Sequence, residues 1–72
     1  MLADVRIDGE KVRIAREEAF LSQRELAEKA GLNHNTVWRI ESGGVVDAHP
    51  RTIRKIAEAL SVDPAFLVPK GR

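Results

Sequence analysis

Apolar residues recur three or four positions apart along most of this chain, and that spacing puts side chains on one face of an α-helix. Five such segments can be marked, the first over residues 9–19 and the last a short one after residue 63. The inward positions of the predicted helices are, in chain order, Val12, Ala15 and Ala19; Leu26, Ala27 and Ala30; Val37 and Ile40; Ile53, Ile56, Ala57 and Leu60; and Phe66 and Leu67. The pattern predicts an all-α fold, a compact five-helix bundle, with a short N-terminal extended arm or strand.

Residues that start and stop helices stand between these segments. Ser22 and Glu25 have the spacing of a capping box, in which each side chain accepts from the backbone N–H of the other. Gly31 lies where a left-handed C-cap requires a residue without a Cβ. Further start signals are Asp8, Asn33, Pro50 and Asp63, and the run Ser42, Gly43, Gly44 ends the third helix. The helix boundaries are therefore well marked.

Two segments outside the helices are unusually apolar. Val5 and Ile7 alternate with polar residues in the N-terminal arm, and two valines lie in a predicted loop over residues 44–49. Ile14 adds an apolar residue on the side of the first helix that is expected to be exposed. The two loop valines and Ile14 could cover one another, receive Val5 and Ile7 of the arm, or form a partner surface, and the sequence leaves all three open.

Length and composition indicate one small domain. The 72 residues are 43% hydrophobic and 32% charged, enough for a core of modest size but not for a buried catalytic pocket. The domain is predicted over residues 9–68, between an arm of residues 1–8 and a frayed tail of residues 69–72. No nucleophile, base and orienting group form a set, so an enzyme is not expected.

Neither a metal nor a membrane is expected to take part. The chain has no cysteine for a disulfide or a thiolate site, and His34 and His49 stand fifteen residues apart without a second ligand pair. No apolar run reaches the roughly 20 residues that cross a bilayer, and the N-terminus lacks the hydrophobic block of a signal peptide. The sequence therefore predicts a cytoplasmic protein without a metal or other cofactor.

The charges of the chain nearly balance, with a formal net charge of +1. The positive excess lies at the C-terminal end, where residues 51–72 contain five basic and two acidic side chains. Because phosphate binding depends on where the charges face, the small total does not exclude a nucleic-acid partner.

Residues 23–42 carry the pattern of two helices joined through a tight turn. Such a pair needs a small residue where the helices approach and a turn residue without a Cβ, which Ala27 and Gly31 supply. Leu32 then returns the chain to the core. The stretch SQRELAEKAGLNHNTVWRIESG resembles the phage-repressor and Cro (XRE-like) helix-turn-helix family, and the likeness extends over about residues 9–68.

The resemblance implies a protein that lays the second helix of this motif in the major groove of double-stranded DNA. With Val37 facing the core and about 100° between successive helical residues, Asn35 and Arg39 point to the opposite side, and His34 lies on the open first turn. Arginine suits guanine O6 and N7, and asparagine suits adenine N6 and N7. We therefore predict that His34, Asn35 and Arg39 read bases; a merely solvated polar face is the alternative.

Other residues are expected to hold the DNA backbone or to flank the reading face. The resemblance assigns a phosphate contact to Gln23 at the start of the second helix, where free N–H groups and the helix dipole assist. The predicted backbone or flanking residues are Gln23, Arg24, Thr36, Trp38, Ser42, Arg51 and Thr52. Such contacts fix the register and carry no sequence information.

Two further expectations concern structural contacts. In the resembled family an arginine late in the first helix pairs with the glutamate that closes the recognition helix, which implies a partly buried salt bridge between Arg16 and Glu41. The Trp38 ring is expected to pack over Arg24 or Lys29, with stacking on a sugar-phosphate strand as the alternative.

The resemblance implies a sequence-specific transcriptional regulator, a repressor that binds a two-fold related operator as a homodimer. Family members pair through their fourth and fifth helices, so the candidate dimer surface is Phe66, Leu67, Val68 and the apolar loop. The alternative is an antitoxin-type module, in which the same motif autoregulates while the apolar loop or the arm binds a protein partner. An antitoxin should co-purify with a partner chain, whereas a regulator acting alone should bind DNA as purified.

Overall fold

Five helices and a two-stranded sheet make up residues 5–69, the part of the chain that this computed structural model describes. In chain order the elements are β1 (Val5–Asp8), α1 (Gly9–Glu18), α2 (Gln23–Ala30), α3 (His34–Ser42), β2 (Val45–Ala48), α4 (Pro50–Leu60) and α5 (Pro64–Leu67). The helical main class agrees with the prediction, but the sheet shows that the fold is not purely all-α. The predicted frayed tail lies, apart from Pro69, outside the described residues.

The sheet joins the N-terminal arm to a segment that the sequence predicted as a loop. β1 and β2 pair antiparallel, with Val5 opposite Ala48 and Ile7 opposite Val46. Ile7 is 0% exposed and Ala48 is buried, because alternate residues of each strand face the helices. The expectation of a loop over residues 44–49 is therefore wrong for β2, whose β-branched valines suit a strand once the arm supplies a partner. The valine segment therefore receives the arm, one of the three arrangements that the sequence left open, whereas Ile14 is 40% exposed.

The helix ends follow the predicted signals. Ser22 Oγ accepts from the Glu25 N–H at 3.0 Å and the Glu25 carboxylate accepts from the Ser22 N–H at 2.8 Å, so the capping box is present. Gly31 takes the left-handed conformation with a φ of 71°. Asn33 caps α3 by accepting from the Asn35 N–H at 2.7 Å. The other helix-capping side chains of the described residues are Asp8, His49 and Asp63.

The end of α1 differs from the prediction. The helix stops at Glu18, and Ala19 is its C-cap rather than its last residue. Ala19 is exposed, so the expectation that it faces the core is wrong. The reason is local, because the chain leaves the helix here and Phe20 follows with a φ of 60°.

One apolar core connects the helices and the sheet. The predicted inward face of α4 is buried throughout, and Leu32 packs against the core from its edge. The largest fully buried side chains are Ile7, Val12, Leu26, Val37, Ile40, Ile56 and Leu67. Phe66, which was expected to be buried beside Leu67, is 46% exposed. Since α5 is a single turn and neighbouring residues diverge by about 100°, only one of the two can face the core.

α1 lies directly against the C-terminal end of α3. The Gly9 N–H donates to the Gly44 carbonyl at 2.7 Å, and a Cβ at Gly9 would overlap the carbonyl oxygen of Ile40. Glycine is therefore required for this close approach. The contact positions the end of α3 through the backbone alone.

The helices of residues 5–69 are short. α4 has 11 residues, and no helix of this part of the chain is both long enough and apolar enough to cross a membrane.

Candidate nucleic-acid interface

The outward side of α3 is polar and open to solvent. Val37 and Ile40 are 0% exposed and fix which side of the helix faces the core. The side chains left exposed are those of His34, Asn35, Trp38, Arg39 and Ser42, and Thr36 is half-buried. The structure therefore brings the three residues predicted to read bases onto one exposed helix.

The turn between α2 and α3 holds the two helices close together. Ala27 is 2% exposed at their contact, and the Leu32 N–H donates to the Ala27 carbonyl at 2.8 Å. Gly31 supplies the left-handed residue that this hydrogen bond requires. The chain thus leaves α2 and enters α3 within three residues, as the two-helix pattern predicted.

Arg16 of α1 and Glu41 of α3 form a two-pronged ion pair. Arg16 Nε donates to Glu41 Oε2 at 2.7 Å, and Nη2 donates to Oε1 at 3.0 Å. The two side chains are only 12% and 3% exposed. The hydrogen bonds from Arg16 to Glu41 raise the pKa of Arg16 above its ordinary value, although burial acts in the opposite direction. The Arg16 guanidinium therefore stays charged, and the pair connects the first helix to the end of α3.

Two further contacts complete this cluster. Gln23 Nε2 donates to Glu41 Oε1 at 3.0 Å, so the glutamine expected to contact phosphate also binds the carboxylate. Arg16 Nη1 donates to the carbonyl oxygen of Leu21 at 2.8 Å. One guanidinium therefore fixes the turn before α2 and, through Glu41, the end of α3.

This pairing changes the charge that α3 presents. Glu41 is the one carboxylate of the helix, and its side chain is nearly inaccessible. The exposed charge of α3 is Arg39. A polyanion approaching the outward side of this helix therefore meets a cation and neutral polar groups.

Exposed arginines on three helices are available for an anionic partner. The ion pairs found among residues 5–69 engage Arg6, Arg13 and Arg16. None of these pairs includes Arg24, Arg39 or Arg51, which are all exposed. These exposed arginines outside the ion pairs thus lie on α2, α3 and α4, the elements predicted to contact DNA.

The start of α4 has a cap that the sequence did not single out. His49 Nδ1 accepts from the Arg51 N–H at 3.2 Å. Histidine is a rare N-cap, so only its position before Pro50 could have indicated this role. The His49 ring therefore has a structural role, because its hydrogen bond orders the turn that carries Arg51 and the half-buried Thr52.

Trp38 does not take the packed position that was expected. Its side chain is 57% exposed. The cation–π contact found among residues 5–69 is Lys11 over the Phe66 ring, at 5.7 Å, rather than one with Arg24 or Lys29. The Trp38 ring is therefore more than half exposed, and the described residues show no cation–π contact between it and either of those side chains.

Phe20 is an exposed residue that the sequence analysis missed. It is 93% exposed and lies in the turn between α1 and α2. Its signal in the sequence is weak, since it consists of an aromatic residue shortly after the end of a helix.

One protein family and one curated relative match most of this chain. Residues 9–67 match the helix-turn-helix domain family. The HTH-type transcriptional repressor RghR of Bacillus subtilis strain 168 is 41% identical over 54 residues, which is 75% of this chain and 40% of RghR. The chain therefore spans less than half the length of this relative.

Two solved regulators are similar over most of their own length. The restriction-modification controller protein C.AhdI from Aeromonas hydrophila is 33% identical, with a TM-score of 0.75 over 81% of this chain and 86% of that one. The biofilm master regulator SinR of Bacillus subtilis, solved in complex with DNA, is 28% identical, with a TM-score of 0.76 over 79% of this chain and 90% of that one.

An enzyme also contains a similar unit. A variant of hydroxyethylphosphonate dioxygenase is 26% identical, with a TM-score of 0.80 over 94% of this chain but only 14% of the dioxygenase chain. That likeness concerns a small part of the enzyme.

Proposed function

We propose that this chain, which belongs to the phage-repressor and Cro (XRE-like) helix-turn-helix family, is a sequence-specific transcriptional repressor that binds double-stranded DNA. The observation that carries the proposal is the outward side of α3, where neutral polar side chains surround one exposed charge, Arg39. Similarity to a transcriptional repressor and to a regulator solved with DNA supports the same activity here.

Three side chains of α3 read the bases when this helix enters the major groove. His34 and Asn35 belong to its first turn, the part of a recognition helix that contacts base edges. The Asn35 amide matches N6 and N7 of adenine, and the Arg39 guanidinium matches O6 and N7 of guanine. His34 can donate or accept through its ring nitrogens.

The remaining contacts hold the phosphate backbone. Gln23 uses one amide N–H for Glu41, and its second N–H can donate to a phosphate at the N-terminus of α2, where the helix dipole also favours an anion. Arg51 and Thr52 serve a second phosphate at the start of α4. The residues proposed to flank the reading side are Arg24, Thr36, Trp38 and Ser42.

The repressor is proposed to act as a homodimer on a two-fold related operator. One helix with three reading side chains distinguishes few base pairs, so a second copy is needed for useful specificity. Leu67 belongs to the core, which reduces the expected dimer surface near the end of α5 to the exposed Phe66 and the half-buried C-cap residue Val68.

The proposal is tested by comparing Arg39→Ala with Arg51→Ala. Each variant is titrated by fluorescence anisotropy against a duplex enriched from a random pool and against a scrambled duplex of equal length. Arg39→Ala should reduce the difference between the two duplexes by about 1–3 kcal/mol, because it removes a base contact. Arg51→Ala should weaken binding to both duplexes alike, because it removes a phosphate contact.

Arg13→Ala is the charge-matched control. Arg13 is paired with Glu10 and Glu17 on α1, so its removal should leave both affinities close to those of the unaltered chain. Equal losses on both duplexes for Arg39→Ala would contradict the base-reading role.

A further inference from the structure

Phe20 combines a strongly exposed aromatic ring with a backbone conformation that phenylalanine rarely adopts. Its side chain is 93% exposed, whereas Trp38, the next most exposed large apolar residue between positions 5 and 69, is 57% exposed. Its backbone has a φ of 60°, the left-handed conformation that glycine or asparagine usually takes after a helix C-cap. The hydrogen bonds that end α1 account for this backbone conformation, so the exposed ring is the feature that the fold does not explain.

The turn that carries Phe20 is held firmly in place. The Phe20 N–H donates to the Glu17 carbonyl at 3.0 Å, and the Leu21 N–H donates to the Arg16 carbonyl at 3.1 Å. The Leu21 carbonyl in turn accepts from Arg16 Nη1 at 2.8 Å. The same guanidinium binds Glu41 of α3, so the backbone next to Phe20 has a fixed position relative to the recognition helix.

The turn also adjoins the proposed phosphate site. Phe20 precedes Ser22, the N-cap of α2, by two residues, and Gln23 begins that helix. In helix-turn-helix complexes the first helix of the motif crosses the DNA backbone. A strand whose phosphate lies at the N-terminus of α2 therefore passes the Phe20 turn.

We propose that Phe20 is a DNA contact, with its ring packed against the deoxyribose next to the phosphate at the N-terminus of α2. The inference rests on the proposed function, because it extends the same interface beyond the major groove. Sugar carbons are the apolar part of the backbone and can cover an aromatic ring. The phosphates themselves are less suited to this place, because Glu18 is exposed close by on α1.

The continuity with the proposed interface favours DNA over a protein as the occupant. Arg16, Glu41 and Gln23 form one hydrogen-bonded cluster that links the Phe20 turn to α3. A second copy of the chain seated on Phe20 would instead make dimer formation depend on the ring. The two occupants therefore predict different measurements.

Phe20→Gly is the decisive variant, because it removes the ring and relieves the backbone. The variant should melt at a higher temperature than the unaltered chain. Its affinity for the enriched duplex and for the scrambled duplex should fall together by about tenfold, the loss expected when part of an aromatic ring is no longer covered. The slope of log affinity against log salt should not change, because no phosphate charge is released.

Phe20→Asn serves as the matched control for backbone flexibility. Asparagine tolerates the left-handed conformation and lacks the ring, so it should lose affinity as Phe20→Gly does. Unchanged DNA affinity in both variants would overturn the inference while leaving the proposed function in place. Weaker self-association by sedimentation, with unchanged affinity of the monomer for DNA, would assign the ring to a second copy and would also overturn it. Failure of the unaltered chain to bind DNA would remove the proposed function and this inference together.

Discussion

At the scale of single residues, Arg16 connects more of the molecule than any other side chain described above. Its guanidinium binds both carboxylate oxygens of Glu41 and the carbonyl of Leu21. Gln23 adds a fourth hydrogen bond to the same cluster. Because Glu41 is almost fully enclosed, the pair holds α3 in place and also removes a negative charge from its outward side.

We predict that Glu41→Gln lowers the free energy of unfolding by about 3–5 kcal/mol, because it leaves the Arg16 charge enclosed without its partner. Urea denaturation monitored by circular dichroism measures the change. The loss should be constant from neutral to alkaline pH. The pKa of Arg16 is raised, so its contribution is complete below the unfolded pKa and is lost only as the pH passes above the folded one.

The matched control for this prediction is Glu17→Gln. Glu17 lies 3.9 Å from the same Arg16 guanidinium, but its side chain is 55% exposed. An exposed pair contributes no more than about 1 kcal/mol, so this variant should stay close to the unaltered chain. Similar losses for both variants would show that enclosure of Glu41 is not what stabilises the pair.

Single residues also differ in how far the sequence predicts their place in the structure. Helical spacing alone predicted that Asn35 and Arg39 face outward, because Val37 fixes the inward side. The pairing of Arg16 with Glu41 came from family resemblance, since 25 residues separate the partners. The exposure of Phe20 could not be predicted, because it depends on a turn conformation that glycine would ordinarily take.

At the scale of elements, helix ends were predictable and strand pairing was not. The capping box of α2 and its glycine C-cap depend on residues within one or two turns of each other. In the sequence, β1 precedes the first three helices and β2 follows them. Each strand by itself shows only a short alternation of apolar residues. Their pairing is decided by the way α1 and α3 bring them together.

The sheet also leaves less apolar surface for the alternative function, that of an antitoxin module that binds a protein partner. The apolar arm and the valine segment were the surfaces expected to dock a partner. Ile7 is now 0% exposed and Val46 packs against the core, so much of that apolar surface is used within the fold. The large apolar side chains of the sheet that stay exposed are Val5 and Val45.

We predict that Ile7→Ala destabilises the protein by about 2–5 kcal/mol, because it leaves a cavity between β1 and the helices. Thermal denaturation followed by circular dichroism measures the effect. Val5→Ala on the same strand is the control. Because Val5 is 38% exposed, this substitution should lower the stability far less than Ile7→Ala. If the two substitutions cost the same, β1 would be an attached arm rather than part of the core.

At the scale of the whole molecule, the distribution of charge matters more than its total. The net charge is only +1, yet the ion pairs of residues 5–69 leave out the exposed arginines of α2, α3 and α4. We therefore expect the proposed affinity for DNA to depend on individually placed contacts and on the proposed second copy of the chain, rather than on a broad positive field.

The central claim is that this chain reads a DNA sequence through α3. Repeated selection from a pool of random duplexes, with the purified full chain as bait, tests it most directly. We predict enrichment of two half-sites in inverted orientation, with their centres about 10 base pairs apart, the spacing that a symmetric pair of recognition helices requires. A pool that shows no enriched sequence after successive rounds, while still binding the protein at low salt, would contradict the claim.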